Sequence, residues 1–249
     1  MNRRAPLAVL WLSSALALAP ATAKAQLVAD LSDHLIAITT GFTGTDVLLF
    51  GATEGVGDVV VVVRGPDTTE TVRRKERIAG VWVNTDSVTF ANVPAFYSVA
   101  SSAEVVDFTT PGLRSRLKIG ADNLRLSVVE ENVGTDRLAV FESALIRNKT
   151  RQGLFPERTG SVAFLGDRLF RTKVSFPANV PIGTYLVEVF VIDDEQVIGA
   201  QTTPLVISKI GVGAEIFDFA HNHSALYGII AIIVAVAAGW LAGAVFRKV

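Results

Sequence analysis

His221 and His223, with Asn222 between them and Asp218 just before, form the one cluster of metal-ligand residue types in the chain. Two histidines two apart can share an ion on an extended segment, but a useful site needs a third or fourth ligand. His34, the remaining histidine, is far away in sequence. His221 and His223 are therefore weak metal candidates, and a polar linker is the competing reading. Arg73-Arg74-Lys75-Glu76-Arg77 is the densest basic run. Its cations Arg73, Arg74, Lys75 and Arg77 could bind an anionic ligand or a lipid headgroup. The alternative is a solvated hairpin end or an edge strand that Lys and Arg keep from pairing. Trp82 and Asn84 follow closely, and a Trp in a strand is more often core than ligand platform. Glu130-Glu131 suggests paired acid and base work, but adjacent residues point in different directions and make no carboxylate dyad.

The catalytic inventory is thin. The chain has no cysteine, which excludes thiol chemistry and disulfides, and only three histidines. It contains no Gly-x-Ser-x-Gly elbow, no phosphate-binding loop and no zinc-protease helix. Few nucleophile–base pairs are available, so a hydrolase is disfavoured. No enzymatic activity and no cofactor are expected.

The elements that must position these residues are bounded by the two ends. From Ala225 to Phe246 no side chain is charged, and Arg247-Lys248 follow at once. As a helix this run is about 33 Å long, against a hydrocarbon core of about 30 Å. It predicts a single transmembrane anchor, 225–246, with a tail at 247–249. Ala231, Ala235, Gly239 and Gly243 recur every four residues and include a GxxxG motif. Such a stripe lets another membrane helix approach closely, although Ala and Gly are also common in idle spans.

At the other end, Arg3-Arg4, the apolar run Leu7–Ala19 and Ala23-Lys24-Ala25 have the layout of a secretory signal peptide, residues 1–25. Gln26 is then the first mature residue. The arrangement places the domain outside the cytoplasm and Arg247-Lys248 inside it. An exported chain of this size without cysteine suggests the periplasm, hence a bacterial inner membrane. Five of the 23 basic residues (Arg3, Arg4, Lys24, Arg247, Lys248) lie outside 26–224, and all 24 acidic residues lie within it, so that segment carries −6. This is an ordinary soluble surface and argues against nucleic acid as a partner.

Residues 26–224 read as mainly β. Leu35–Thr39, Val47–Phe50 and Val59–Val63 are short β-branched or apolar runs separated by glycines, as in a β-sandwich. Val59–Val63, apolar on both faces, should be central. Thr69–Arg74, Val81–Val83, Ser87–Phe90 and Phe96–Val99 should continue the same sheets. A helical insert is expected at about 101–155. It begins with a capping box at Ser101 and Glu104 and continues with Pro111 at the start of a second helix. A third helix starts at Thr135-Asp136, with Leu138, Phe141 and Leu145 on its apolar face and Lys149 among its polar residues. Gly153 should end it. Ser161–Leu165, Leu169–Phe176, Thr184–Ile192 and Gln196–Ile207 return to β, with Asp193-Asp194-Glu195 as a hairpin turn. Ala-Asn-Val-Pro occurs at 91–94 and again at 178–181, by coincidence or as the trace of a duplicated unit.

Several stretches resemble an alphaproteobacterial family of predicted transmembrane proteins of unknown function. They are Phe50-Gly51-Ala52, Val63-Arg64-Gly65-Pro66, Arg73–Arg77 with Gly80–Asn84, and Val93–Tyr97. Ala144–Arg147, Gly153-Leu154-Phe155, Leu169-Phe170-Arg171, Pro181–Tyr185 and the anchor with Gly239-Trp240 belong to the same set. The resemblance covers nearly all of the mature chain. It implies location and architecture, and a neighbourhood of permeases similar to sulfite exporters, but no activity. The expectation is an immunoglobulin-like β-sandwich with a helical insert on one C-terminal anchor. It would serve as a non-enzymatic accessory or assembly factor of a membrane complex such as a permease. The alternative is an anchored module that binds a small anion or a metal.

Overall fold

Leu169–Pro177 reads LFRTKVSFP, and its side chains alternate exposed and buried along most of its length. That period of two makes a strand with one face on a core. The computed structural model describes residues 27–54, 56–130, 133–210, 216 and 219–246. The signal segment, Glu131, Asp218 and the tail at 247–249 lie outside the described residues.

In chain order the strands are β1 (Val28–Leu31), β2 (Leu35–Ile38), β3 (Gly44–Ala52), β4 (Asp58–Arg64), β5 (Asp67–Ile78), β6 (Val81–Pro94), β7 (Tyr97–Ser101), β8 (Ser127–Val128), β9 (Gly160–Ser161), β10 (Ala163–Leu165), β11 (Leu169–Pro177), β12 (Gly183–Asp193) and β13 (Gln196–Lys209). The helices are α1 (Val105–Phe108), α2 (Pro111–Leu117), α3 (Thr135–Arg151) and α4 (Ser224–Phe246). Among the described residues the fold is mainly β, in three sheets. One runs β1-β3-β11-β10, the second β2-β13-β12-β4-β7-β9, and the third β5-β6-β8. Pairing is antiparallel except for β13 with β2 and β7 with β9.

The first two sheets share one core. Phe176 of β11 meets Tyr185 of β12 edge to face at 5.8 Å, and Phe96 packs on both rings. Register carries that inner face across β4: Tyr185, Val187, Val189 and Val191 lie on the core side, the last three opposite Val63, Val61 and Val59. β4 lies between β12 and β7, and all five of its valines are buried, so it is central as its composition requires. Its other face is covered as well. Tyr97, on that side, donates to Lys118 O at 2.6 Å and accepts from Gly120 N at 2.7 Å, which ties the segment after α2 to β7.

Three local expectations need correction. No capping box forms: Ser101 ends β7, and Glu104 caps α1 without a side-chain hydrogen bond. Thr110 does cap α2, accepting from Leu113 N with Pro111 in the first turn. Val81–Val83 and Ser87–Phe90 are not separate strands of the sandwich. They belong to the single long strand β6, which pairs with β5 in a sheet of its own. The reason is the two-residue turn Ala79-Gly80, both at positive φ, which suits the twist of a long hairpin. Finally, Lys149 is buried beside Phe141 and Leu145 on the inner stripe of α3. The two Ala-Asn-Val-Pro stretches differ in setting: one ends β6, the other joins β11 to β12.

Candidate functional site

The β5–β6 hairpin gathers most of the residues with distinctive chemistry. Val72 and Val88 are opposite each other and buried, and from there the hairpin runs outward. Helix α3 lies along this face. Lys149 Nζ meets Glu70 Oε1 at 2.6 Å, the Arg74 guanidinium sits 5.3 Å from the centre of the Phe141 ring, and Arg137 Nη2 meets Asp86 Oδ1 at 2.5 Å. The Arg137 guanidinium also holds the Asp86 carboxyl below the usual carboxylate range. Glu130 accepts the Thr89 amide with both oxygens, and that hydrogen bond lowers its pKa. Glu130 is therefore a structural clamp on β6.

Beyond the Arg74–Asp86 level the hairpin is uncovered. Every residue from Lys75 to Thr85 is exposed. A β-bulge between Arg74 and Lys75 resets the pairing, so that Lys75 faces Asn84, Glu76 faces Val83, Arg77 faces Trp82 and Ile78 faces Val81. Directly opposed residues share a face. One face of the tip therefore carries Lys75, Arg77, Trp82 and Asn84, with Arg73 behind them. The other carries Ile78, Val81 and Val83 around Glu76. At about 3.4 Å per residue the tip projects roughly 15 Å past the start of α3.

The predicted basic run is thus on a hairpin end, but its four cations do not converge. Arg73, Lys75 and Arg77 form a ladder on one face, and Arg74 is on the other, against Phe141. Trp82 is not core: it is 67% exposed. Sequence pattern assigns residues to faces, and nothing in it reports whether a face has a cover.

The base of the hairpin is rigid. Gly65 N donates to Phe96 O and Ala95 N to Pro66 O, both at 2.8 Å. A side chain on Gly65 would crowd Phe96 N, and one on Gly183 would crowd the Pro66 ring. Tyr97 N donates to Leu154 O, and the Tyr97 and Phe155 rings touch at 5.7 Å. Arg64 meets Glu188 at 2.5 Å, with about one-fifth of each side chain exposed. Four of the stretches that carry the family resemblance (Val63–Pro66, Val93–Tyr97, Gly153–Phe155 and Pro181–Tyr185) therefore meet where the hairpin leaves the sandwich. A cleft of about 350 Å3 lies close by, lined in part by Tyr97, Asp122, Thr150, Phe155, Glu157 and Arg158.

The histidines are brought no nearer to a metal site. His223 stacks on Phe219 at 5.6 Å, and its amide donates to Phe219 O as in a helix. His221 lies in the same helical stretch, so side chains two apart point roughly 200° apart. His34 pairs with Asp30 at 3.0 Å, in the β1–β2 region. Among the described residues no three His, Cys, Asp or Glu side chains group to hold a metal ion.

Helix α4 completes the arrangement. Ser224–Gly243 has mean hydropathy 2.3 and none of it is buried within the chain, which makes it long and apolar enough to cross a membrane. Ala231, Ala235, Gly239 and Gly243 are all exposed, and a side chain added at either glycine would meet nothing.

A mainly β domain joined, among the described residues, to one apolar helix long enough to cross a membrane defines a candidate membrane-anchored protein. Residues 26–248 match the model of the family described as "Putative transmembrane protein (Alph_Pro_TM)", and the chain belongs to that family. No curated protein and no solved structure matches it significantly.

Proposed function

We propose that the protein is a non-enzymatic accessory or assembly factor of a membrane complex, such as a sulfite-exporter-like permease, and that it acts from the inner membrane with its domain in the periplasm. The observation that carries this reading is α4: an unburied apolar helix whose Ala231, Ala235, Gly239 and Gly243 leave room for a second helix. Docking through this stripe would hold the domain beside the partner. The family match begins at Gln26, the residue that signal cleavage would expose, which supports an exported domain.

We further infer that the two larger sheets form an immunoglobulin-type sandwich. The orders β1-β3-β11-β10 and β13-β12-β4 parallel the ABED and GFC sheets of that architecture. Tyr185 near the start of β12 donates to Pro181 O at 2.6 Å, as the corner tyrosine of such domains does. The β5–β6 hairpin then stands as an insertion in the chain between β4 and β7, two neighbouring strands of the second sheet.

The test is a mild-detergent pulldown of the full-length protein from its native membrane beside a Gly239→Leu, Gly243→Leu variant. A complex subunit recovered only with the native span is the expected result. Recovery of the same partner by both forms would remove the docking role of α4. The second reading, a small-anion module, draws on the ladder of Arg73, Lys75 and Arg77. It is rejected if inorganic sulfate and phosphate bind equally to the native chain and to one with all three changed to Gln.

A further inference from the structure

We propose that the tip of the β5–β6 hairpin is a second membrane contact, which seats shallowly in the anionic lipid surface of the bilayer that α4 crosses. The tip ends in Ile78, Val81 and Trp82, at least half exposed each, around the Ala79-Gly80 turn. Arg77 and Lys75 come next, and Arg73 behind them. Apolar and aromatic groups at the end, with cations set back by one, three and five residues from Ile78, match the depth profile of a bilayer surface. Indole rings favour the headgroup level, and Lys and Arg pair with anionic headgroups.

Three further observations favour lipid over a protein groove. The tip is exposed on both faces, so its natural complement is a medium that surrounds it, whereas a groove covers one side. It is locally cationic although 26–224 as a whole is acidic, so the charge complement to an anionic surface is concentrated where the apolar groups are. The tether is short as well: residues 210–223 link β13 to α4, which holds the sandwich within roughly 50 Å of the bilayer. Insertion must stay shallow, because both edges of a two-stranded hairpin carry unpaired backbone groups that the hydrocarbon core cannot satisfy. The rigid base and the α3 brace let the arm transmit this contact to the sandwich. The tip and the span would together fix the tilt of the domain, which one point of attachment cannot do.

The absence of cysteine allows a unique label. A nitroxide at Val81→Cys in the full-length chain, with a control at the exposed residue Gln196→Cys, reports depth by its relative accessibility to oxygen and to a water-soluble nickel complex. The chain is reconstituted in phosphatidylcholine vesicles with and without about one-quarter phosphatidylglycerol. The expected result is lipid depth at position 81 in the anionic vesicles, with the control in water. Each cation near such a surface is worth roughly fivefold, so Arg73→Gln, Lys75→Gln, Arg77→Gln together should lower the ratio of buried to exposed label about a hundredfold. These residues are exposed, and an unchanged circular dichroism spectrum shows that the variant is folded. A water-exposed label at 81 in both vesicle types overturns the proposal. So does shielding that arises only in native membranes, which would assign the tip to a protein partner.

Discussion

Lys149 has 7% of its side chain exposed, and Glu70 is its ion-pair partner. A buried ammonium is tolerated only while paired, so removing the carboxylate should cost more than removing the ammonium, which leaves a carboxylate that water reaches. Glu70→Gln is expected to destabilise the domain by roughly 1–3 kcal/mol, at the low end of buried-pair losses because Glu70 is about one-third exposed. Lys149→Met, which keeps the stem and removes the charge, should be close to neutral. Urea unfolding followed by circular dichroism separates the two. The predicted apolar face of α3 stopped at Leu145 because charge is read from the sequence as exposure; the partner that permits burial is 79 positions away.

Two tyrosines give a pH dependence. Burial pushes the phenols of Tyr97 and Tyr185 well above their ordinary range. The unfolded chain's tyrosines ionise near pH 10. Above that pH the native state keeps protons that the unfolded state has lost. Their contribution to stability is therefore complete below about pH 10 and falls as pH rises further. Unfolding free energy measured from pH 8 upward should decline above pH 10, and Tyr97→Phe with Tyr185→Phe should flatten that decline. Tyr185→Phe also removes one hydrogen bond and Tyr97→Phe removes two, which should lower stability at neutral pH by about 1 and about 2 kcal/mol.

Among the elements, the hairpin decides most. Ala79 is held at φ 50°, where a side chain is strained, and the neighbouring Gly80 is at φ 87°. Ala79→Asn should relax the turn and stabilise the arm by about 1 kcal/mol, seen as slower amide exchange in β5 and β6. Elsewhere, close approach sets the residue. A side chain on Gly51 would overlap the Phe170 ring and the Val28 carbonyl, so β3 can pass between β1 and β11 only with glycine there. Strands such as β4 and β11 were legible because their patterns reflect burial on both faces or one. The hairpin end was legible as the solvated reading of Arg73–Arg77, but the exposure of Trp82 was not, since Trp82, Val81 and Ile78 spell a strand whether or not anything covers them. The capping box at Ser101 failed for a related reason: the motif is local, and pairing of β7 with β4 claims Ser101 for the sheet.

At the scale of the whole molecule, a mainly β domain, a braced arm and an apolar span make a protein that is tied to a membrane, with exposed apolar and basic groups at the arm's end. The span was the most legible element, because crossing a bilayer demands length and lack of charge and little else. Its partner face was legible only as a stripe of small residues. The most direct test of the accessory role is site-specific photocrosslinking from α4 in native membranes. A photoreactive residue at Gly239 lies on the stripe, and one at Leu241, two positions on, lies on the opposite side of the helix. A discrete protein adduct from position 239 and only lipid adducts from 241 is the predicted result. Lipid adducts alone from both positions, or the same protein adduct from both, would contradict docking through the stripe.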